Sequence, residues 1–350
     1  MPNIYQYYHY NSMKQQIRFV LLCVNAILLQ ISLWGQSAQD VTFVGITVSN
    51  LQQSVQFYEN VLNFKQIATY ELNKNVTKSL FRVKSPVKVV LLQLGSETIE
   101  LMEFQTKGRP IPPDSKSNDL WFQHVAIVVR DMEMAYQQLR QAKVQFVSTA
   151  PQTLPDYLPA AAGISAFYFR DPDGHNLEII HYPPGKGNDK WQKPSDHLYL
   201  GIDHTAIGIE DTDRSFAFYQ DLLGLKIAGN SVNYGSEQEH LNQVFGAHLL
   251  ITGLQAQQGF GVEFLDYLAP PGGRKYPAKS KPNDLWHWHT TMVVNDVQEV
   301  FTQLKERGYT IVSQGIITIP HPILGNVGAV LVRDPDGHAA LVIDRKNVLR

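Results

Sequence analysis

Short β-branched apolar runs alternate with amphipathic stretches along this chain, in an order that recurs four times. The runs at 41–48, 124–129, 202–209 and 290–294 read as buried strands. Polar residues that suit a helix start follow, as at Asp211, Thr212 and Asp213, where a side-chain oxygen can accept from the first free backbone amides. Apolar residues then recur on one helical face, at Met132, Tyr136 and Leu139 and again at Val297, Val300, Phe301 and Leu304. Three more strand-like stretches close each unit, the last of them at 98–104, 177–182, 261–267 and 339–343. The predicted unit is βαβββ, four times over.

In the second and fourth units, Asp-Pro-Asp-Gly stands between two apolar runs, at 171–174 and 334–337. Proline fixes one φ and glycine accepts a positive one, so a hairpin turn is predicted and the aspartates are assigned to the turn rather than to chemistry. His175 and His338, which follow these turns, are expected at the surface.

The two halves also match each other at an offset of about 165 residues, the signature of an internal duplication. Gly108, Arg109 and the run Asn118, Asp119, Leu120, Trp121 face Gly273, Arg274 and Asn283, Asp284, Leu285, Trp286. Phe57 and Tyr58 face Phe218 and Tyr219. Stretches rich in proline, lysine and glycine at 107–117, 183–194 and 270–282 separate the units, and the middle one is the expected domain boundary.

At 350 residues and 44% hydrophobic, the chain is long enough for two globular domains with real cores. A net charge of -2 offers no basic field for a phosphate backbone, so nucleic acid is not an expected partner. Lys14 and Arg18, an apolar run at 19–33, and the small or polar residues Gly35, Gln36, Ser37 and Ala38 have the order of an export signal. That run is short and interrupted by Asn25 and Gln30, which argues against a stable membrane span. The expected organisation is a signal peptide at 1–38, with Met13 as a candidate start, a domain at 39–183, a linker at 184–198 and a domain at 199–346. The expected destination is the periplasm or the exterior. Cys23, the one cysteine, lies within the signal, so the mature chain has no thiol for disulfides, zinc ligation or nucleophilic catalysis.

A βαβββ module with histidine in its first strand, Phe-Tyr in its helix and Asp-Pro-Asp-Gly before a last strand carrying Leu-Glu-Ile resembles the vicinal oxygen chelate superfamily. That superfamily includes glyoxalase I, methylmalonyl-CoA epimerase, extradiol dioxygenases and bleomycin-type resistance proteins. The resemblance covers roughly 41–344. It implies an α+β fold in which paired modules form two open, cupped mixed sheets, with a divalent ion (Fe, Mn, Zn, Ni or Co) held by first-strand and last-strand side chains. The implied first-strand positions are Phe43, His124, His204 and His289; the last-strand positions are Glu100, Glu178, Glu263 and Leu341.

Which residues share an ion depends on which modules pair. Pairing in chain order, the simplest connection, gathers His204, Glu263 and His289 with an open position at Leu341, and leaves Glu100, His124 and Glu178 as a second candidate site. Crossed pairing, which the fused glyoxalases resemble, gathers His124, Glu178, His204 and Glu263 and leaves Glu100 with His289. The sequence leaves both arrangements open. Imidazole with carboxylate suits a catalytic transition metal in either case.

Strand alternation turns His287 to the same side as His289. Tyr168 and Tyr234 are candidate donors to substrate, Glu239 and His240 candidate residues of the cup mouth, and Arg109 and Arg274 candidate partners for a substrate carboxylate. The expected function is metal-dependent lyase, isomerase or dioxygenase chemistry on a small substrate with two adjacent oxygens, with Glu263 as the catalytic carboxylate. The alternative is a binding protein of the resistance type, enclosing a small ligand without an ion.

Overall fold

The structure, a computed structural model, describes residues 38–344. The expected signal peptide and Met13 lie outside these residues, apart from Ala38. That residue is buried and its N–H donates to Leu223 O at 2.8 Å, so it belongs to the fold. Among the described residues no helix is long and apolar enough to cross a membrane.

The first module runs β1 (Asp40–Thr47), α1 (Leu51–Leu62), β2 (Lys65–Leu72), α2 (Lys74–Leu80), β3 (Val87–Leu94) and β4 (Glu97–Phe104). The second runs β5 (Gln123–Val129), α3 (Met132–Gln141), the short β6 (Gln145–Phe146) and β7 (Gln152–Thr153), β8 (Ser165–Arg170) and β9 (Asn176–His181). In the third, β10 (Tyr199–Ile209) precedes α4 (Thr212–Tyr219), β11 (Lys226–Tyr234), α5 (Ser236–Asn242), β12 (His248–Gln255), β13 (Gln258–Gly259) and β14 (Gly261–Ala269). The fourth comprises β15 (Trp288–Val294), α6 (Val297–Glu306), β16 (Thr310–Ile311), β17 (Ile317–His321), β18 (Gly325–Arg333) and β19 (Ala339–Asp344). Each main helix starts where the sequence places a cap. Asn50, Asp131, Asp211 and Asp296 accept from amides of the first turn of α1, α3, α4 and α6.

The modules pair crosswise. One sheet has the order β16-β18-β19-β15-β1-β4-β3-β2, uniting the first and fourth modules, and the other has β11-β12-β14-β10-β5-β9-β8-β6, uniting the second and third. In each sheet two first strands meet antiparallel at the centre, β1 with β15 and β10 with β5, flanked by parallel last strands. Residues 39–183 and 199–346 therefore do not each close a sheet of their own; every sheet draws on both halves. The first module is joined to the second, and the third to the fourth, through side chains instead. Tyr58 of α1 donates to Asp171 in the β8–β9 turn, and Tyr219 of α4 donates to Asp334 in the β18–β19 turn.

Alternation decides the layers. One face of both sheets joins the apolar sides of the main helices in a single core that includes Val44, Ile127, Ile207, Phe264, Tyr58, Leu139, Phe218 and Leu304. The opposite faces carry separate clusters, one around Phe43, Phe81, Leu91, Leu331 and Leu341 on the first sheet and one around Ala126, Tyr168, Ala206 and Leu265 on the second.

His175 and His338 are not at the surface. Both are buried: His175 is held between Asp171 Oδ2 (2.8 Å) and Leu285 O (2.7 Å), and His338 Nε2 lies 2.7 Å from Gly208 O. The Asp-Pro-Asp-Gly aspartates do shape the turn, since Asp171 Oδ1 accepts from the amides of Asp173 and His175.

Candidate metal centre

Register in the second sheet aligns two rows of side chains on its inner face. In one, His124 of β5 pairs with Ala206 of β10, which pairs with Glu263 of β14. In the other, His204 of β10 pairs with Ala126 of β5, which pairs with Glu178 of β9. Each row reads histidine, alanine, glutamate, and the rows run in opposite senses about the β5–β10 seam. The alanines matter because each ends at a methyl group, so the longer residues on either side can lean over it and converge.

They do converge. His124 Nε2 lies 3.4 Å from His204 Nε2, Glu178 Oε2 lies 3.1 Å from His124 Nε2 and 3.5 Å from His204 Nε2, and Glu263 Oε1 lies 3.5 Å from His204 Nε2. His124, His204 and Glu263 offer three donor atoms within 4.8 Å of one another, the one such cluster among the described residues. Two imidazoles and two carboxylates suit a divalent transition ion, so these residues fit the group the fold implies.

The ring of His204 is held in the orientation ligation requires. Its Nδ1 meets Asp203 Oδ2 at 3.0 Å, which leaves Nε2 for the centre, and Asp203 accepts in turn from Tyr182 OH (2.8 Å) and Trp191 Nε1 (2.6 Å). Asp203 and His204 are neighbours and would normally face opposite ways. A shift of register between Ile202 and His204, a β-bulge, turns both toward the cavity. His124 has no such anchor: its Nδ1 is buried without a partner.

Electrostatics divide the two carboxylates. Glu178 is buried, which alone would raise its pKa, but His124 and His204 pull it down to about 2. Burial raises the pKa of Glu263, and the pull of His204 does not restore it. For His204, burial opposes the charge, but Glu263, Asp203 and Glu178 together raise its pKa well above the usual range. Their surroundings differ in the same sense. Tyr168 stands opposite Glu178 in the row, whereas Gly253 and then Gly229 stand beside Glu263. A Cβ at Gly229 would meet nothing within 4 Å, so open space lies beside Glu263. That space is a cavity of about 590 Å³, lined by Glu178, Asp203, His204 and Glu263 among others.

The first sheet keeps half of this pattern. His289, Gly45 and Glu100 form one row, while the other is Phe43, Thr291 and Leu341. His289 is therefore not a partner of His204 and Glu263, nor is Glu100 one of His124 and Glu178, because the sheets that would bring them together do not form. Glu100 accepts from Tyr70 OH (2.9 Å) and lies 3.1 Å from His321 Nε2; His321 Nδ1 accepts two backbone amides, which assigns the proton to Nε2. Phe43 stacks on His321, and the His289 ring lies over Gly45, where a Cβ would come within 2.2 Å of it. His287 and His289 are both buried, with all four ring nitrogens unpartnered, and burial, helped by Arg333, holds His289 near 4 and His287 well below its usual pKa.

Of the other candidates, Tyr168 lines the cavity, whereas Tyr234 is exposed and packs on Tyr157 and His248. Glu239 and His240 do not line the cavity, but their neighbour Gln238 does. Arg109 and Arg274 are committed elsewhere. Arg109 clasps Asp284 through its backbone amide, Nε and NH2 and lies over the Trp286 ring, and Arg274 holds Asp119 and lies over Trp121 in the same way. The sequence offered no signal for Asp203, because simple alternation points it away from His204, nor for Trp191, which the 184–198 linker brings in.

With four donors on two paired βαβββ modules established, comparison with known proteins is decisive. The family described as the Glyoxalase/Bleomycin resistance protein/Dioxygenase superfamily matches residues 41–179 and 201–341. The chain belongs to that superfamily. Glyoxalase I from Zea mays shares the fold of this superfamily member over 88% of this chain and 92% of its own, with a TM-score of 0.57 and 16% identity. A dioxygenase candidate from Bacillus subtilis does so over 89% of this chain and 86% of its own, with a TM-score of 0.56 and 13% identity. In sequence, the chain is 29% identical over 142 residues to a virulence protein of Salmonella typhimurium, spanning 39% of this chain and 80% of that one. At such identities the structural likenesses show the glyoxalase fold alone.

Proposed function

We propose that this superfamily member is a divalent-metal-dependent isomerase or lyase that moves a proton on a small substrate carrying two adjacent oxygens. The observation that carries this reading is the convergence of His124, His204, Glu178 and Glu263 at the edge of one cavity. A bound ion would act there as a Lewis acid on the paired oxygens. Glu178, enclosed beside Tyr168, serves as the fixed anionic ligand. Glu263, half-buried over the Gly229–Gly253 floor, faces the substrate, takes the proton from the carbon next to an oxygen and returns it to the neighbouring carbon. Asp203 holds the His204 ring while charge redistributes. The first sheet, filled around Phe43 and Leu341, keeps the fold without this chemistry.

Elemental analysis of purified protein tests the site: one ion per chain is expected in the wild type and in His289→Ala, and none in His204→Ala or Glu178→Gln. Deuterium exchange into hydroxyacetone, followed by NMR, tests the reaction: Glu263→Gln is expected to keep the ion and lose exchange. A wild type that binds no ion would leave the ligand-enclosing alternative, and loss of the ion in His289→Ala would overturn the assignment of the site.

A further inference from the structure

We propose that the cavity excludes substrates with an anionic tail, and that the carboxamides of Asn233 and Gln238 bind a neutral amide or hydroxyl group at the end remote from the paired oxygens. The inference rests on the metal-centre reading above and adds the substrate class.

Charge comes first. Three carboxylates line the cavity, those of Glu178, Asp203 and Glu263, and Lys190 is the one lysine or arginine among the described lining residues. Lys190 is already engaged, with Nζ 2.7 Å from Glu97 Oε1 and 4.1 Å over the Trp191 ring. The two arginines that sequence reasoning offered for a substrate carboxylate are locked in clasps to Asp284 and Asp119. An anionic tail would thus lose its hydration without gaining a counter-charge, a cost that a neutral tail avoids.

Hydrogen bonding comes second. Asn233, at 4% exposure, and Gln238, at 2%, both line the cavity, and the carboxamide oxygen of each is buried without a partner. A buried carboxamide oxygen left unpaired is costly, and a ligand that pairs it recovers that cost as specificity. A carboxamide both donates and accepts, so its complement is a neutral group that does the same.

Placement comes third. Gln238 rides on α5, which crosses from the third module to β7 and β8 of the second and is tied there by Ser148 Oγ donating to Leu241 O and Thr149 N donating to His240 O. Asn233 lies four residues along β11 from Gly229, which shares a row with Glu263. At ~3.3 Å per residue this is about 13 Å along the strand, which sets the scale of the tail's length.

The test uses full-length protein loaded with Mn(II) and hydroxamic acids that share a chelating head and differ in the tail. Calorimetry compares acetohydroxamate, which has no tail, with compounds whose five- or eight-methylene spacer ends in a primary carboxamide, a carboxylate or a methyl group. The carboxamide is expected to bind at least tenfold tighter than the carboxylate and the methyl compound at one spacer length. In Asn233→Leu and Gln238→Leu that margin is expected to vanish while acetohydroxamate binding stays unchanged. A carboxylate or methyl tail that binds as well as the carboxamide in wild-type protein overturns the inference and leaves the metal reading intact, whether or not the variants fold. Absence of metal-dependent binding by every hydroxamate, acetohydroxamate included, overturns both.

Discussion

His175 makes the fold measurably sensitive to alkaline pH. Its two ring nitrogens face two acceptors, Asp171 Oδ2 at 2.8 Å and Leu285 O at 2.7 Å, so only the protonated ring donates to both. Burial opposes that charge, but Asp171 prevails and raises the pKa from 6.5 to about 9. Below the unfolded value both states carry the proton and the stabilisation is complete. As pH rises toward 9 the unfolded chain has released a proton that the folded chain still holds, so stability falls with pH and the contribution is gone above about 9. A rise of this size, at about 1.4 kcal/mol per unit, corresponds to about 3 kcal/mol. Urea unfolding followed by tryptophan fluorescence at pH 6 and pH 9.5 reads it directly. The wild type is expected to lose about 3 kcal/mol across that interval, whereas His175→Gln starts lower at pH 6 and loses far less. Parallel losses in the two proteins would show that the folded ring is neutral and refute the reasoning.

Three further outcomes follow from the same geometry. Replacing Ala206 with leucine fills the gap over which His124 and Glu263 converge; it is expected to cost about 1–3 kcal/mol by overpacking and to abolish bound metal, and elemental analysis showing a full ion would contradict the two-row reading. Asp203→Asn removes the carboxylate that orients His204, and chelator competition is expected to show a 10–100-fold weaker ion. Arg109→Ala and Arg274→Ala break equivalent clasps on buried aspartates; each is expected to cost about 1–2 kcal/mol when unfolding is measured by denaturant, a figure reduced for the half-exposed guanidinium.

Much of the site was legible as residue types in strand positions. His124, His204, Glu178 and Glu263 were all named from first and last strands, and the alternation that turns them to one face is local. Their grouping was not legible. His289 occupies the same position in its module as His124 does in its own, so nothing in the local pattern distinguishes which of them joins His204. Asp203 escaped notice for a different reason: a period of two forbids it from facing the cavity with His204, and only a bulge overrides that period. Asn233 and Gln238 look like ordinary polar residues of a strand and a short helix, and their burial without partners exists only once α5 spans the cup.

By itself the sequence determined the four βαβββ units, their caps and turns, and the face each strand buries, because these depend on interactions within a few residues and on hydrophobic period. The tertiary structure alone decided that the first module meets the fourth and the second meets the third. Each first strand offers a neighbour the same backbone edge, so the choice falls to contacts distant in the chain, such as His321 Nε2 with Glu100 between the first and fourth modules and Ser148 Oγ with Leu241 O between the second and third. The pairing of the second and third modules sets His124 beside His204 in the candidate metal centre.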